Sequence, residues 1–409
     1  MAQDDPFGSD DPFKGMPFLG DLARLIQQQG PISWDAARQL AYSIASGGVS
    51  EPNVDPQVRF ELEQLARVAD LHVSSTTGLA TSITGRPLSI EPVTRTRWVS
   101  ATLDAYRPLF ERLATSLGPS QATTSGHPST DVDPFEDPAG DPTAAWLGNV
   151  MQFLTPMMMG MTAGSMIGHL AIRSFGQYDL PIPRPPSDEL MLVVPTLDAF
   201  GEEWSLPAND LRLWVCLHEI AHHAVIGVPH VRRRLESLIQ EFVAGFRPDP
   251  RALEERMTDL ELDPSSVGDL QGIQQLFSDP EVLLGARRSA EQEQLLERLD
   301  ALVTVIVGYV DHTMDRIGET LVSSYGMVTE AVRRRRVQAS DADRFVERMF
   351  GLHLTQDRYD RGAAFIDGVV ERAGENGLDR LWHSEPLLPT PAEINAPGLW
   401  LARIDLPDD

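Results

Sequence analysis

Residues 217–230 read LHEIAHHAVIGVPH and hold four of the chain's ten histidines, with Glu219 directly after the first. His218 and His222 are four apart, so at about 3.6 residues per turn they leave a helix from one face, one turn apart. Two imidazoles so placed can grip one cation. Glu219 lies about 100° round the same helix, close enough to reach a metal-bound water without ligating, which is where a general base is needed. The expectation is a Zn²⁺ site with His218 and His222 as ligands and Glu219 as proton carrier in hydrolysis of a peptide or other amide bond.

The neighbours of this trio have plainer roles. Cys216 precedes His218 by two positions, about 200° away, and reads as a small core residue. His223 flanks the ligand face, where it either touches substrate or sits at its edge. His230, after Pro229, falls beyond the expected end of the helix, and the position where a metzincin places its third histidine is Val228.

A catalytic zinc takes three protein ligands and a water, so a third must come from elsewhere. Glu241 follows His222 after eighteen residues, the gluzincin aminopeptidase spacing, although a lone Glu in LESLIQEF also suits a solvated helix face. The other source is VGYVDHTMDRIG, where Asp311 and Asp315 flank His312 in an otherwise apolar helix; acids there need a reason. Asp311 is the preferred third ligand, with His312, Glu241 and His230 as alternatives.

Outward from the motif, Leu190–Val194 reads as a short buried strand, and a strand upstream of a metal-binding helix can offer an edge to an extended peptide. Nearly everything else carries helical periodicity. In DPQVRFELEQLARVADLHV, Asp55 can cap, Pro56 suits the first turn, and Val58, Leu62, Leu65, Ala69 and Val73 form one stripe. A further helix starts near Thr94 and carries Trp98, Leu103, Tyr106 and Leu109. Residues 144–172 contain no Asp, Glu, Lys or Arg. Gly160, Gly164 and Gly168 line one face there, while Asn149, Gln152, Pro156 and His169 favour a buried core helix over a membrane span. A short last helix is expected near Pro391 and Glu393, held down by Trp400 and Leu401.

The chain has 409 residues and a formal charge of −26, which argues against nucleic acid or anionic lipid as a partner. One cysteine excludes an intramolecular disulfide, and the acidic start lacks a secretory signal's features, so a cytoplasmic location is expected. DPF occurs at residues 5–7, 11–13 and 133–135, within polar stretches of disordered composition that are candidate docking elements. Arg232–Arg234 and Arg333–Arg336 either draw an acidic ligand into a cleft or pair with surface acids.

GPISWDAARQLA, GQYDLPIPRP, LHEIAH with GVPHVRRRL, GYVD, and the tail YDRGAAFIDGVVERAG with LPTPAEI together resemble the bacterial zincin-like metallopeptidase family 2, in matching order over most of the chain. The resemblance implies a predominantly helical hydrolase fold. It also implies a ligand Glu where this chain has Val307, with a supporting acid at Asp311; many members have Trp at the position of His230. The expected architecture is therefore mainly α with a very small β component. It divides into an acidic tail at 1–20, a helical region at 21–117, a disordered insertion at 118–143 and a zincin-like core at 144–409. The expected function is zinc-dependent metallopeptidase chemistry. The alternative is a catalytically inactive scaffold or protein-binding module that has lost a metal ligand.

Overall fold

The computed structural model describes residues 30–117, 142–246, 288–338, 341–352 and 354–406. The acidic tail, the DPF tripeptides and residues 118–141 of the expected insertion lie outside the described residues. Thirteen α-helices and two strands are described: α1 Trp34–Ser46, α2 Pro56–Thr77, β1 Ser89–Val93, α3 Arg95–Leu117, α4 Pro142–Arg173, β2 Glu189–Val193, α5 Val194–Glu203, α6 Ala208–Gly227, α7 Pro229–Ala244, α8 Ala290–Leu321, α9 Tyr325–Val337, α10 Asp341–Phe350, α11 Gln356–Ala373, α12 Asn376–Asp379 and α13 Pro397–Ile404. The mainly α expectation holds.

Local chemistry sets the helix ends. The Asp55 carboxylate accepts from Gln57 N at 2.8 Å and Pro56 opens α2. Leu62, Ala69 and Val73 of the expected stripe are buried. At α8, Ser289 Oγ accepts from Gln292 N while Gln292 Oε1 accepts from Ser289 N, a reciprocal cap.

The glycine face of α4 packs against α1. A Cβ at Gly160 would meet Ser33 O at 2.3 Å, and one at Gly164 would meet Ala37 O at 2.4 Å. On its side α1 offers buried Ala37, Ala41 and Ala45. Met159, Ala163, Met166, Ile167, Leu170 and Ala171 of α4 are buried in the core, and no helix among the described residues is long and apolar enough to cross a membrane.

The expected strand forms as β2, paired in parallel with β1 from Ser89↔Glu189 to Val93↔Val193. Sequence reading did not find β1, because SIEPV carries Glu91 and Pro92 in place of a clean alternation. At the far end, the residues around Pro391 and Glu393 form a turn, and the last helix is α13. Glu393 accepts from Thr390 N at 2.8 Å and from Arg403 Nε at 2.6 Å, which ties that turn to α13. Trp400 is fully buried in α13.

The motif helix α6 runs through the centre. From Leu213 to Ile226 it is buried at every position except His218, because α2, α5, α8 and α9 pack around it. α8 crosses α11 at Gly308 and Gly362, where a Cβ on Gly308 would strike the Gly362 carbonyl carbon at 2.5 Å. This close crossing holds the Asp311 segment of α8 against the centre of the molecule.

Candidate functional site

His218 and His222 leave α6 one turn apart with ring centroids separated by 4.4 Å. His218 stacks on Trp214 at 5.2 Å, and His222 stacks on Tyr178 at 6.2 Å, so each ring is flanked by an aromatic face. His222 Nδ1 lies 3.1 Å from His218 O; a carbonyl can only accept, so Nδ1 carries the proton and Nε2 the lone pair. Burial, reinforced by His218 and by Arg336, drives the His222 pKa well below the usual histidine range. His218 Nδ1 lies 3.3 Å from Glu219 Oε1.

Glu219 is fully buried. Its Oε2 accepts from Gln177 N at 2.8 Å and Tyr178 N at 2.9 Å, so the carboxylate closes the turn after α4. Gly176 is required there, since a Cβ would sit 2.3 Å from Glu219 Cδ. Burial raises the Glu219 pKa against the opposing pull of His218.

The same turn seals the strand beside it. Val193 N donates to Phe175 O at 2.8 Å, and Met191 N reaches Gln177 Oε1 at 3.5 Å. Alternate residues of a strand direct their amides to opposite edges, so these two belong to the edge of β2 facing away from β1. Trp98 Nε1 donates to Gly176 O at 2.7 Å, and Asp179 accepts from Phe175 N and Gly176 N. The edge expected to receive an extended peptide is therefore covered by the chain's own 175–177 segment.

The third-ligand candidates are held elsewhere. Asp311 is clasped by Arg336, with Nη1–Oδ2 2.8 Å and Nη2–Oδ1 3.0 Å. Arg336 also stacks on Tyr359 at 3.8 Å. Burial opposes its charge, yet Tyr359 and Asp311 prevail and raise its pKa. His312 Nε2 faces Glu375 at 3.2 Å and Asp315 accepts from Tyr325 OH at 2.6 Å. Glu241 is exposed and accepts from Ser237 Oγ, as a solvated helix face would. His230 sits in the first turn of α7 beside Arg233 and Glu385. Val307 is buried in α8.

Among the described residues no three His, Cys, Asp or Glu side chains come together to hold a metal ion. The donor set therefore does not fit a catalytic zinc: two imidazoles are in place, and the acid expected to join them, Asp311, is bonded to a guanidinium that also bears on His222. A divalent cation would have to share that space with a fixed positive charge.

Cys216 and His223 are both buried. Cys216 is a buried free thiol whose pKa burial pushes up. His223 meets Tyr178 OH through Nδ1 at 2.8 Å and has Nε2 3.7 Å from Asp188; burial lowers its pKa to about 4 against the pull of Asp188.

Arg336 is the site residue that sequence reading left in a cluster, because a run of four arginines carries no periodic mark of which one turns inward. It opens onto a cleft of about 390 Å³ lined also by His218, Trp214, Phe175, Arg335 and Tyr359.

A helical fold built on an HExxH helix defines a zincin-like class, and comparison with known proteins agrees. The chain belongs to the zincin-like metallopeptidase family, whose model matches residues 32–401. It is similar in fold to a crystal structure described as a candidate hydrolase with a novel fold from Chloroflexus aurantiacus, with a TM-score of 0.61 and 21% identity over 92% of this chain and 100% of that one. No curated protein matches the chain.

Proposed function

We propose that this chain is a zincin-fold binding protein: Val307 stands where the resemblance implies a ligand Glu, and Asp311, the acid one turn further on, is paired with Arg336. The observation that carries the reading is the two-point clasp of Asp311 by Arg336. Two others support it: Glu219 is fully buried with Oε2 engaged by two backbone amides, and the β2 edge is sealed by residues 175–177. A proton carrier with no exposed surface cannot meet a substrate water without rearrangement. A cytoplasmic setting and docking through the DPF tripeptides belong to the same proposal.

The second reading is a zinc-dependent peptide hydrolase, which the family implies. The observation in its favour is the pairing of His218 and His222 at 4.4 Å with Nδ1 of each ring already engaged, the arrangement in which the Nε2 atoms remain for a metal. His218, His222 and Asp311 would hold the ion, which would supply an activated water, and Glu219 would manage the proton. That reading requires Arg336 to release Asp311.

A quenched-fluorescence peptide mixture supplied with zinc separates the two. The binding reading expects the wild type to cleave no faster than His218→Ala or Glu219→Gln. Cleavage that both substitutions abolish would overturn it.

A further inference from the structure

The cleft of about 390 Å³ beside His218 takes its character from what its charged groups already hold. Arg336 is bonded to Asp311 at 2.8 and 3.0 Å. Arg335 lies 3.8 Å from Oδ1 of Asp179, whose Oδ2 accepts from Phe175 N and Gly176 N. Arg173 donates to Gln338 O at 2.8 Å, Asp357 accepts from Arg361 Nε at 3.1 Å, and Arg344 is engaged as well. With His218 set aside, no other charged side chain lines the cleft among the described residues. A charged ligand would therefore have to displace an existing partner and orphan a group. A neutral one would not.

Much of the remaining wall is apolar, including Leu170, Phe175, Leu180, Val332, Leu352 and Leu354. Val337, in the same lining, is 67% exposed, an apolar side chain left in water. The volume is at the small end of ligand pockets.

Three polar atoms of the lining have no hydrogen-bond partner among the described residues. His218 lies with its ring near-parallel to Trp214, 13° apart, and its Nδ1 3.3 Å from Glu219 Oε1. Nδ1 thus donates to the carboxylate, and Nε2 keeps a lone pair that can only accept. Gln356 donates through Nε2 to Asp360 at 2.8 Å, which leaves its buried Oε1 as a second unpaired acceptor. Trp214 Nε1 is a buried donor without a partner. A carboxylate has no proton for the two acceptors. A hydroxyl both donates and accepts, so it answers both kinds of atom.

We propose that the cleft binds a neutral hydroxyl carried on an apolar body, with the hydroxyl donating to His218 Nε2 and the body against Leu352 and Leu354. The proposal rests on reading the site as metal-free, since a cation on His218 would take the same lone pair.

Calorimetric titration of the full chain with phenylpropanol, its methyl ether, phenylpropanoate and phenylpropylammonium holds the body constant and changes the head. The alcohol should bind about fivefold more tightly than the ether, the worth of one neutral hydrogen bond, and more tightly than either ion. His218→Phe keeps a ring against Trp214 and removes the acceptor, so the preference for alcohol over ether should vanish while ether binding persists. Leu354→Asp should weaken both neutral probes by about tenfold in a chain whose circular dichroism is unchanged. An ether bound as tightly as the alcohol, an ion bound more tightly than it, or a folded wild type that binds none of the four would overturn the proposal. So would an alcohol preference that survives in His218→Phe. Zinc held at the histidine pair, with the alcohol preference appearing only after chelation, would sink the metal-free reading and leave the hydroxyl site standing. Absence of both zinc and alcohol binding would do the reverse.

Discussion

Arg336 and Asp311 meet through two hydrogen bonds of 2.8 and 3.0 Å, with the Arg336 side chain 12% exposed and that of Asp311 24% exposed. This pair organises the region between α6, α8 and α9. It neutralises an acid that the apolar surroundings of α8 would otherwise penalise, and it places a fixed cation near His222. A buried acid asks for a compensating charge, and in this chain an arginine supplies it.

Arg336→Met should leave Asp311 without its partner and lower stability by about 2 kcal/mol, below the usual range of roughly 3–5 for a buried pair because Asp311 retains some solvent. Urea unfolding measures this. Asp311→Asn combined with Arg336→Met should cost less than the sum of the single changes, by about 1 kcal/mol. Strict additivity would mean that the pair carries no interaction.

Glu219 closes a turn through Oε2, which is a structural task. Glu219→Gln keeps an acceptor oxygen and should cost about 1 kcal/mol, whereas Glu219→Ala orphans the Gln177 and Tyr178 amides and should cost about 3. Equal losses in the two variants would show that those amides do not depend on the side chain.

Gly176→Ala places a Cβ 2.3 Å from Glu219 Cδ, and Gly308→Ala places one 2.5 Å from the Gly362 backbone. The first can be relieved by a side-chain shift and should cost about 2 kcal/mol; the second forces two helices apart and should cost more, about 3 or above. Thermal unfolding that ranks them in the opposite order would contradict the crossing described for α8 and α11.

Asp188 is a pH-sensitive fastener. Burial works to raise its pKa, but hydrogen bonds from Thr84, Ile83 and Arg86 prevail and hold it well below the ordinary carboxylate range. A depressed folded-state pKa means that its contribution is complete above the unfolded value of about 3.9 and is lost as pH falls through the lower folded value. The wild type should therefore lose stability in acid more steeply than Asp188→Asn, which should already be weaker by about 3 kcal/mol at neutral pH. Parallel pH profiles for the two proteins would count against this role.

The parts legible in the sequence are those set by local periodicity. The capped start of α2, the glycine face of α4 and the helical spacing of His218 and His222 follow from residues within one or two turns. What was not legible depends on distant partners. β1 exists because β2 and α2 lie beside it, although SIEPV reads poorly as a strand. The turn at residues 175–178 shows its purpose only when Glu219, far along the chain, is brought to its amides. That an acid at Asp311 in an otherwise apolar helix asks for a reason is legible in the sequence; its pairing with Arg336 depends on α9 folding back to deliver the guanidinium.

Zinc stoichiometry distinguishes a metal-free site from a catalytic one. The full chain, produced with zinc in the medium and purified without chelator, can be measured by elemental mass spectrometry beside His218→Ala. A chain without a metal centre should carry zinc far below one ion per chain, with no difference between the two proteins. About one zinc per wild-type chain, lost in His218→Ala, is the signature of an intact catalytic site and would contradict the metal-free reading.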